Sequence, residues 1–265
     1  MKFERADGVA LNRDVVWILA VGSDARPGED MTRVRGDALQ MIGMDTRTGA
    51  ATSIGIPRDS YVSIPGYGSD RINAALVYGG PQALGEAVGE LVGIKPDYVF
   101  VTRFPFFENM VNDIGGIEVR NPRAFSDENL KPQGFEVGKV RLNGYTAMAF
   151  ARIRKTLPGG DFDRSANQQI VLRGIQAKLA ENADRPGFLE SGVLSVIEHM
   201  HTDVGPGELF RIAHAVAQVD PRKITGCVVT GGFASINGAS VVLPYTDRAR
   251  AYGDDARDDA VIDRC

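Results

Sequence analysis

VVWILAVGSD, residues 15–24, predicts the central element of the fold. The stretch begins as an unbroken apolar run and ends in Gly22, Ser23 and Asp24. Such a run, closed by turn-forming residues, is typical of a strand that is buried on both faces of a sheet. It is much shorter than the ~20 apolar residues that cross a bilayer. We therefore predict a central buried strand with Asp24 at its end.

Strands and helices are predicted to follow in alternation. Asp37 opens a second strand. Alternation through Thr52, Ile54 and Ile56 then predicts two adjacent strands, with a charged corner at 57–59 that includes Arg58. The other expected segments are helices at 71–78, 81–92, 104–114, 164–179, 193–200 and 206–219, strands at 97–104, 223–230 and 240–243, and a loop-rich excursion at 120–144. This order predicts an α/β (α+β) fold, with charged residues gathered at strand ends.

Composition limits the class of protein. With 265 residues, 43% of them hydrophobic, the chain can bury a full core. An acidic net charge of −4 argues against a nucleic-acid partner. Nothing in residues 1–13 resembles a secretion signal. Residues 246–265 carry six Asp and four Arg, so we predict a domain at 14–245 and a solvated, partly disordered tail at 246–265.

Basic residues are concentrated in one part of this acidic chain. Residues 141–173 contain six Lys or Arg and two Asp. Arg152 and Arg154 are two apart and would share a face only on an extended segment, so residues 151–155 are expected to be extended. Arg164 and Gln168 stand at i and i+4 of a predicted helix and therefore point the same way. The cluster is either an anion site or a solvated, salt-bridged face.

Several common catalytic sites are excluded by the absence of their motifs. The sequence contains no GxxxxGK[ST] loop, GxSxG elbow, HExxH or CxxC pair. His199, His201 and His214 lie away from the arginines, which argues against a zinc site. Three phenylalanines at 104, 106 and 107 favour ordinary packing over a lipid groove. The remaining aspartates and arginines suit phosphoryl chemistry with bound Mg²⁺.

The order of motifs resembles the LytR-CpsA-Psr family over about residues 15–179. The motifs are ILAVGSD, RGD before a strand, IPRDSYV, RINAALVYGG, DYVFV, GGIEV, LNGYTAMAFARIRK and DFDRSANQQ. The resemblance implies a single α-β-α domain with a central mixed sheet, helices on both faces and a hydrophobic lipid pocket. It also implies an extracytoplasmic enzyme, tethered by an N-terminal membrane helix that this chain lacks, which moves a glycopolymer from a polyprenyl-pyrophosphate carrier to peptidoglycan.

The family's functional residues can be carried over to matching positions. The resemblance implies Mg²⁺, or Mn²⁺, at Asp24 and Asp37, and a pyrophosphate held by Arg35, Arg58, Arg71, Arg152, Arg154, Arg164 and Gln168. Asp161 is the expected base for the acceptor hydroxyl, and Asp24 is the second choice. The competing hypotheses are a non-catalytic module that binds lipid pyrophosphates or anionic glycans, and a lipid pyrophosphatase.

Two departures from the family pattern and one cysteine pair complete the predictions. Arg71 replaces a usual Lys, which changes the donor geometry, and Asp163 adds a carboxylate that we expect to point to solvent. From the residues alone, Cys227 and Cys265 could form one disulfide or be two free thiols, or Cys265 could pair between chains. The extracellular setting that the resemblance implies favours a disulfide that pins the tail.

Overall fold

The structure is a computed structural model, and it describes residues 14–202 and 204–265. Its strands are β1 (Val15–Ser23), β2 (Gly36–Asp45), β3 (Ala51–Gly55), β4 (Tyr61–Ile64), β5 (Gly68–Arg71), β6 (Tyr98–Arg103), β7 (Ile117–Asn121), β8 (Phe125–Asp127), β9 (Lys131–Phe135), β10 (Gly138–Leu142), β11 (Ile224–Val228), β12 (Gly231–Ile236) and β13 (Ala239–Pro244). Its helices are α1 (Ala74–Val92), α2 (Phe104–Asp113), α3 (Gly144–Arg152), α4 (Asp161–Glu181), α5 (Phe188–His199), α6 (Pro206–Ala217) and α7 (Thr246–Ala256).

A five-stranded mixed sheet lies at the centre, in the order β11-β3-β2-β1-β6. The strand predicted from the apolar run is β1, and it lies between β2 and β6. It pairs antiparallel with β2 and parallel with β6. Antiparallel pairing places the end of β1 beside the start of β2, so the residues at those two termini meet at one sheet edge.

Helices cover both faces of this sheet, which confirms the predicted α-β-α layering. Leu19 and Val21 on β1 belong to a core cluster that they share with α1 and α7. Ile18, on the opposite face of the strand, packs in a different cluster with α5 and α6. The two clusters follow from the alternation of side chains along a strand.

Helix α1 joins the helices predicted at 71–78 and 81–92, but it begins at Ala74, because Arg71 ends β5. Gly80 joins them with a φ of 70°, and Pro81 starts the second part. A positive φ is a conformation that glycine adopts without steric cost, so the chain can bend here and continue as a helix. The kink turns the start of α1 toward the hairpin of β4 and β5.

The excursion at 120–144 forms small antiparallel pairs instead of one sheet. β7 pairs with β10, and β8 pairs with β9. Phe125, Phe135 and Phe150 contact one another with ring centroids 5.0 to 5.1 Å apart. This aromatic cluster attaches the excursion to α3, because Phe150 lies on that helix.

The C-terminal segment differs from the prediction of a solvated, partly disordered tail. Residues 246–256 form α7, and Ala249, Tyr252 and Ala256 are buried against the main core. Cys265 is bonded to Cys227 on β11, as the extracellular setting suggested. The prediction was wrong because the charged residues of this segment lie on the outer side of a helix whose inner side is formed by small residues and one tyrosine.

Among the described residues, no helix combines the length and the hydropathy that crossing a bilayer requires. The prediction that residues 1–13 carry no secretion signal lies outside the described residues.

Candidate active site at the edge of the sheet

Two aspartates meet where β1 ends and β2 begins. Asp24 follows β1 directly, and its backbone N–H donates to the carbonyl of Arg35 at 3.1 Å. Asp37 is the second residue of β2 and is 8% exposed. Burial raises the pKa of Asp24, and the nearby charge of Asp37 raises it further. The predicted pair of carboxylates is therefore brought together.

The corner after β3 supplies the next charged residues. Arg58 donates from Nη1 to Oδ1 of Asp37 in a short ion pair. Burial alone would lower the pKa of Arg58, but the charge and hydrogen bond of Asp37 outweigh it and raise that pKa. Asp59 lies within 3.9 Å of Arg58, 3.8 Å of Arg71 and 3.5 Å of Arg154. Asp59 therefore forms ion pairs with three of the predicted anion-binding arginines, a role that was not predicted from the sequence.

Arg152 and Arg154 reach this site by a route that differs from the prediction. The expectation that residues 151–155 are extended is wrong, because α3 continues through Arg152. Ile153 then ends the helix with φ −57° and ψ 131°, and its side chain is buried. The Ile153 side chain enters the core, and the arginines on either side of it both reach the site. Arg152 lies 3.4 Å from Asp24, and Arg154 lies 3.5 Å from Asp59.

The first turn of α4 contributes a buried ion pair. Asp161 and Arg164 contact each other, and the side chain of each is only 6% exposed. Burial raises the pKa of Asp161, although the charge of Arg164 acts in the opposite direction. Burial likewise lowers the pKa of Arg164. A carboxyl group with a raised pKa is suited to accept and release a proton.

Gln168 lies one turn further along α4, as predicted, and points to the same side as Arg164. Its Oε1 accepts from Nε2 of Gln40 at 3.0 Å, and its own Nε2 donates to the carbonyl of Ala151 at 3.3 Å. Gln40 also donates to Ser165. Gln168 therefore ties α4 to β2 and α3. Gln40 was missed because a lone glutamine inside a strand has no distinctive spacing.

An apolar cavity of about 380 Å³ begins beside these groups. It lies between the sheet and helices α2, α4, α5 and α6. Its wall includes small or apolar strand residues, among them Ala20, Ile42 and Phe100, and Val171, Ile175 and Leu179 from α4. Asp37, Arg152, Arg164 and Gln168 line it as well. The cavity is thus apolar along its length and charged at the edge of the sheet.

Of the three phenylalanines on α2, two line the cavity and one packs elsewhere. Phe104 and Phe107 line the cavity, which differs from the packing role that the sequence favoured. Arg152 lies over the ring of Phe104, 4.4 Å from its centroid. Phe106 instead contacts Arg103 and His199. Two of the three rings therefore form part of the cavity wall.

The remaining predicted residues lie at the rim of the site. Arg35 is exposed and lies close enough to Asp70 to lower the pKa of that carboxyl, after the larger effects of its hydrogen bonds. Asp163 does not point to solvent as expected: it accepts from Arg123 at 2.6 and 3.2 Å and from the backbone of Gly159 at 2.8 Å. Asp163 therefore binds the backbone of the glycine loop before α4, and its ion-pair partner is Arg123 and not Arg164.

Asp24 and Asp37 are the candidate metal ligands of this site. Within residues 14–202 and 204–265, no cluster of three or more His, Cys, Asp or Glu side chains could enclose a metal ion. Asp24 and Asp37 carry like charges, and the charge of Asp37 raises the pKa of Asp24 after the larger effect of burial. Two carboxylates fit Mg²⁺, which usually keeps several waters and takes its other ligands from substrate phosphates.

Known proteins resemble this chain in sequence and in fold. Polyisoprenyl-teichoic acid–peptidoglycan teichoic acid transferase TagU of Bacillus anthracis is 32% identical over 197 residues, 74% of this chain and 62% of that protein. TagU of Bacillus subtilis is 33% identical over 174 residues, 65% of this chain and 55% of that protein. The chain thus spans about three fifths of the length of the curated relatives it matches.

Solved structures share the whole fold. The crystal structure of B. subtilis TagV matches with a TM-score of 0.75 at 26% identity, covering 90% of this chain and 95% of that one. TagT bound to LI-WTA has the same fold, with a TM-score of 0.75 at 23% identity over 94% of this chain and 91% of that one. The model of the LytR_cpsA_psr family matches residues 2–257. The predicted resemblance is confirmed, and this protein belongs to the LytR_cpsA_psr family.

Proposed function

We propose that this protein transfers a glycopolymer from a polyprenyl-pyrophosphate carrier to peptidoglycan, forms a phosphodiester and releases polyprenyl phosphate. The observation that carries the proposal is the apolar cavity, whose charged end is built from Arg152, Arg164 and Asp37. A ligand that matches both parts has a long apolar chain and an anionic head. The names of the TagU relatives, which specify a polyisoprenyl-linked polymer and peptidoglycan, support the same substrates.

The arginines would hold the pyrophosphate oxygens. Arg154 and Arg152 are each 38% exposed, so their guanidinium groups can exchange a carboxylate contact for a phosphate contact without leaving a buried charge. Arg164 is buried beside the cavity and is committed to Asp161. We assign Arg152 and Arg154 to recognition of the outer oxygens, and Arg58 and Arg164 to the inner ones.

Asp24 and Asp37 would hold Mg²⁺, with Mn²⁺ as a possible substitute. When bound, the ion supplies positive charge that stabilises the negative charge developing on the phosphate oxygens. Asp24 is half exposed, so it can turn from Arg152 toward a cation. Asp37 keeps its contact with Arg58 and fixes the direction of that guanidinium.

A carboxylate would accept the proton of the attacking hydroxyl. The hydroxyl oxygen forms a bond to the phosphorus that bears the glycan, and the bond from this phosphorus to the bridging oxygen breaks. Polyprenyl phosphate leaves with that oxygen, and the proton passes to Asp161. Its raised pKa, which burial causes, supports this role, and its contact with Arg164 holds the carboxylate in position. Asp24 is the second candidate.

We place this reaction at the extracytoplasmic face of a bacterial membrane, with a membrane anchor in the full-length protein. The lipid carrier requires proximity to a bilayer. The disulfide between Cys227 and Cys265 supports an oxidising compartment, because cytosolic thiols are normally kept reduced.

Incubation with a labelled lipid-pyrophosphate glycan tests the proposal. We expect labelled glycan on soluble peptidoglycan fragments, together with an equal amount of polyprenyl phosphate, only when Mg²⁺ and the fragments are both present. Release of polyprenyl phosphate without fragments would identify a pyrophosphatase. Tight binding of the lipid with no release under any condition would identify a binding module. Mass spectrometry of the purified protein for retained prenyl phosphate provides an independent readout of the cavity's ligand.

A further inference from the structure

Two exposed tyrosines stack on each other beside the arginine cluster. Tyr67 is 52% exposed and Tyr78 is 43% exposed. Their ring centroids lie 5.8 Å apart and their planes differ by 23°. Exposed aromatic pairs of this kind present a flat apolar surface to solvent, and such surfaces commonly mark ligand sites.

The surrounding residues hold this pair in place. Tyr67 lies in the turn between β4 and β5, and Tyr78 lies on α1 just before its kink. A Cβ on Gly79 would overlap Cβ of Ala83 and stand 2.9 Å from Oη of Tyr67, so glycine at this position leaves room for both the following helix turn and the Tyr67 ring. Oη of Tyr78 donates to Oδ2 of Asp70 at 2.5 Å. The hydrogen bond to Asp70 therefore holds the Tyr78 ring before any ligand binds, and the Tyr67 ring stacks on it.

A chain of polar contacts connects the tyrosines to the site. Asp70 accepts from the backbone N–H of Arg71 at 2.7 Å. The Arg71 guanidinium lies 3.8 Å from Asp59, which lies 3.5 Å from Arg154. Arg35 is near enough to act on both Asp70 and Tyr78. The aromatic surface thus continues the charged rim and is bordered by two guanidinium groups.

We propose that Tyr67 and Tyr78 form a stacking platform for a sugar ring of the peptidoglycan acceptor, an assignment that rests on the proposed function. The C–H groups on the face of a pyranose are apolar and slightly positive, and they match the negative face of a phenol ring. Arg35 and Arg71 supply donors for the hydroxyl and carboxylate oxygens at the edge of such a sugar.

The position of the platform indicates that it binds the acceptor and not the donor lipid. The cavity lies on the sheet face covered by α4, whereas Tyr78 lies on α1, which covers the opposite face. In phosphoryl transfer the attacking and leaving oxygens are roughly in line. If polyprenyl phosphate leaves toward the cavity, the attacking hydroxyl arrives from the side of the tyrosines. Asp161 can still accept its proton, because Asp161 lies in the first turn of α4 at the charged edge, near enough to Asp59 for the Asp59 charge to act on its pKa, and Asp59 contacts Arg71.

Steady-state kinetics with saturating lipid donor and varied peptidoglycan fragments test this assignment. Tyr67→Ala and Tyr78→Ala should each raise the KM for the fragments about five- to tenfold. The KM for the donor should stay the same. Tyr78→Phe keeps the ring and should stay within about twofold of wild type. Tyr145→Ala is the matched control, because Tyr145 is 44% exposed and its hydroxyl donates to the carbonyl of Leu130, away from the site.

A rise in the donor KM, or an unchanged fragment KM in both alanine variants, overturns the platform and leaves the proposed transfer intact. A binding titration that needs no turnover separates the two proposals further. Fragments of N-acetylglucosamine and N-acetylmuramic acid are titrated into the wild type and the two alanine variants. Weaker binding to the variants supports the platform even if no transfer occurs. Absent binding to the wild type, or equal binding to all three proteins, overturns it.

Discussion

The two faces of the central sheet are packed in opposite ways. On the face covered by α1 and α7, Leu19 and Val21 of β1 and Leu39 of β2 are at most 2% exposed and belong to a continuous core. On the face covered by α4, the neighbouring positions Ala20, Gly22 and Ala38 line the cavity. The same strands therefore build a solid core on one side and an open volume on the other.

Side-chain size explains this difference. At the end of β1 and the start of β2, Leu19, Val21 and Leu39 on one face alternate with small residues on the other, so the first face is filled and the second is recessed there. The small residues are Ala20, Gly22 and Ala38. A well-packed face contributes stability, because removing buried methylenes costs both transfer energy and cavity energy. A recessed face gives up part of that stability and leaves room for a ligand. We expect substitutions on the first face to change folding and those on the second to change substrate use.

Substitution of the arginines at the charged end of the open face should have the largest effect on transfer. Arg154→Ala and Arg58→Ala should each lower kcat/KM for transfer by roughly 10² to 10³, since each removes a donor to the phosphate charge. Arg154 is partly exposed, so its loss should leave the melting temperature near wild type. Arg58→Ala should also cost about 1–3 kcal/mol of stability, because it leaves Asp37 buried without its partner.

Arg120→Ala is the control for that experiment. It removes the same charge from an exposed position on β7, outside the site. Full transfer activity in Arg154→Ala would contradict the assignment. Equal losses in Arg120→Ala would show that net charge, and not position, matters.

The contrast in packing can be measured directly by chemical denaturation. Leu19→Ala on the solid face should reduce the free energy of unfolding by about 2–5 kcal/mol. Ile42→Ala on the open face should reduce it by only about 1 kcal/mol, because the Ile42 side chain already borders a cavity and loses fewer contacts. Equal costs at the two positions would mean that the cavity is closed in solution.

Enlarging a residue sharpens the same contrast. Ala20→Phe should fill part of the cavity, change the free energy of unfolding by less than about 1 kcal/mol, and slow transfer from long-chain donors about tenfold or more. Leu19→Phe adds bulk to the solid face and should cost about 1–3 kcal/mol. If Ala20→Phe used long and short lipid carriers as well as wild type does, the cavity would not hold the prenyl chain.

The smallest expected effect is a shift in the pH profile. Asp161 must be ionised to accept a proton, and burial raises its pKa. Transfer should therefore fall as the pH is lowered through this raised pKa, at a higher pH than for an ordinary aspartate of pKa about 3.9. Asp161→Asn should reduce kcat and remove this acidic limb from its pH dependence. If the limb remains in Asp161→Asn and disappears in Asp24→Asn, Asp24 is the base.

The sheet and its charged edge could be predicted because they depend on local patterns. The apolar run of β1 identifies a buried strand, and the polar residues at strand ends identify the edge where Asp24, Asp37 and Arg58 meet. The paired positions of Arg164 and Gln168 follow from helix geometry. The family motifs then assign these residues to one site.

The features that were missed depend on tertiary contacts. Ala249, Tyr252 and Ala256 do follow a helical spacing, but the many charged neighbours in α7 obscured it. Ile153 ends α3 by entering the core, which cannot be inferred from the spacing of Arg152 and Arg154. Asp59 contacts its sequence neighbour Arg58 and also Arg71 and Arg154. The last two reach it only after folding, so these ion pairs could not be predicted from the sequence.

Helix α4 spans 21 residues, so it is about 30 Å long. Arg164 at its start lies beside the proposed head group, and Leu179 near its end lines the apolar cavity. These two residues are about 22 Å apart along one helix. A single rigid element therefore sets the distance from the reacting phosphate to the far wall of the cavity. Carrier lipids should be selected by chain length, and shortening α4 by one turn should favour carriers shorter by about 5 Å.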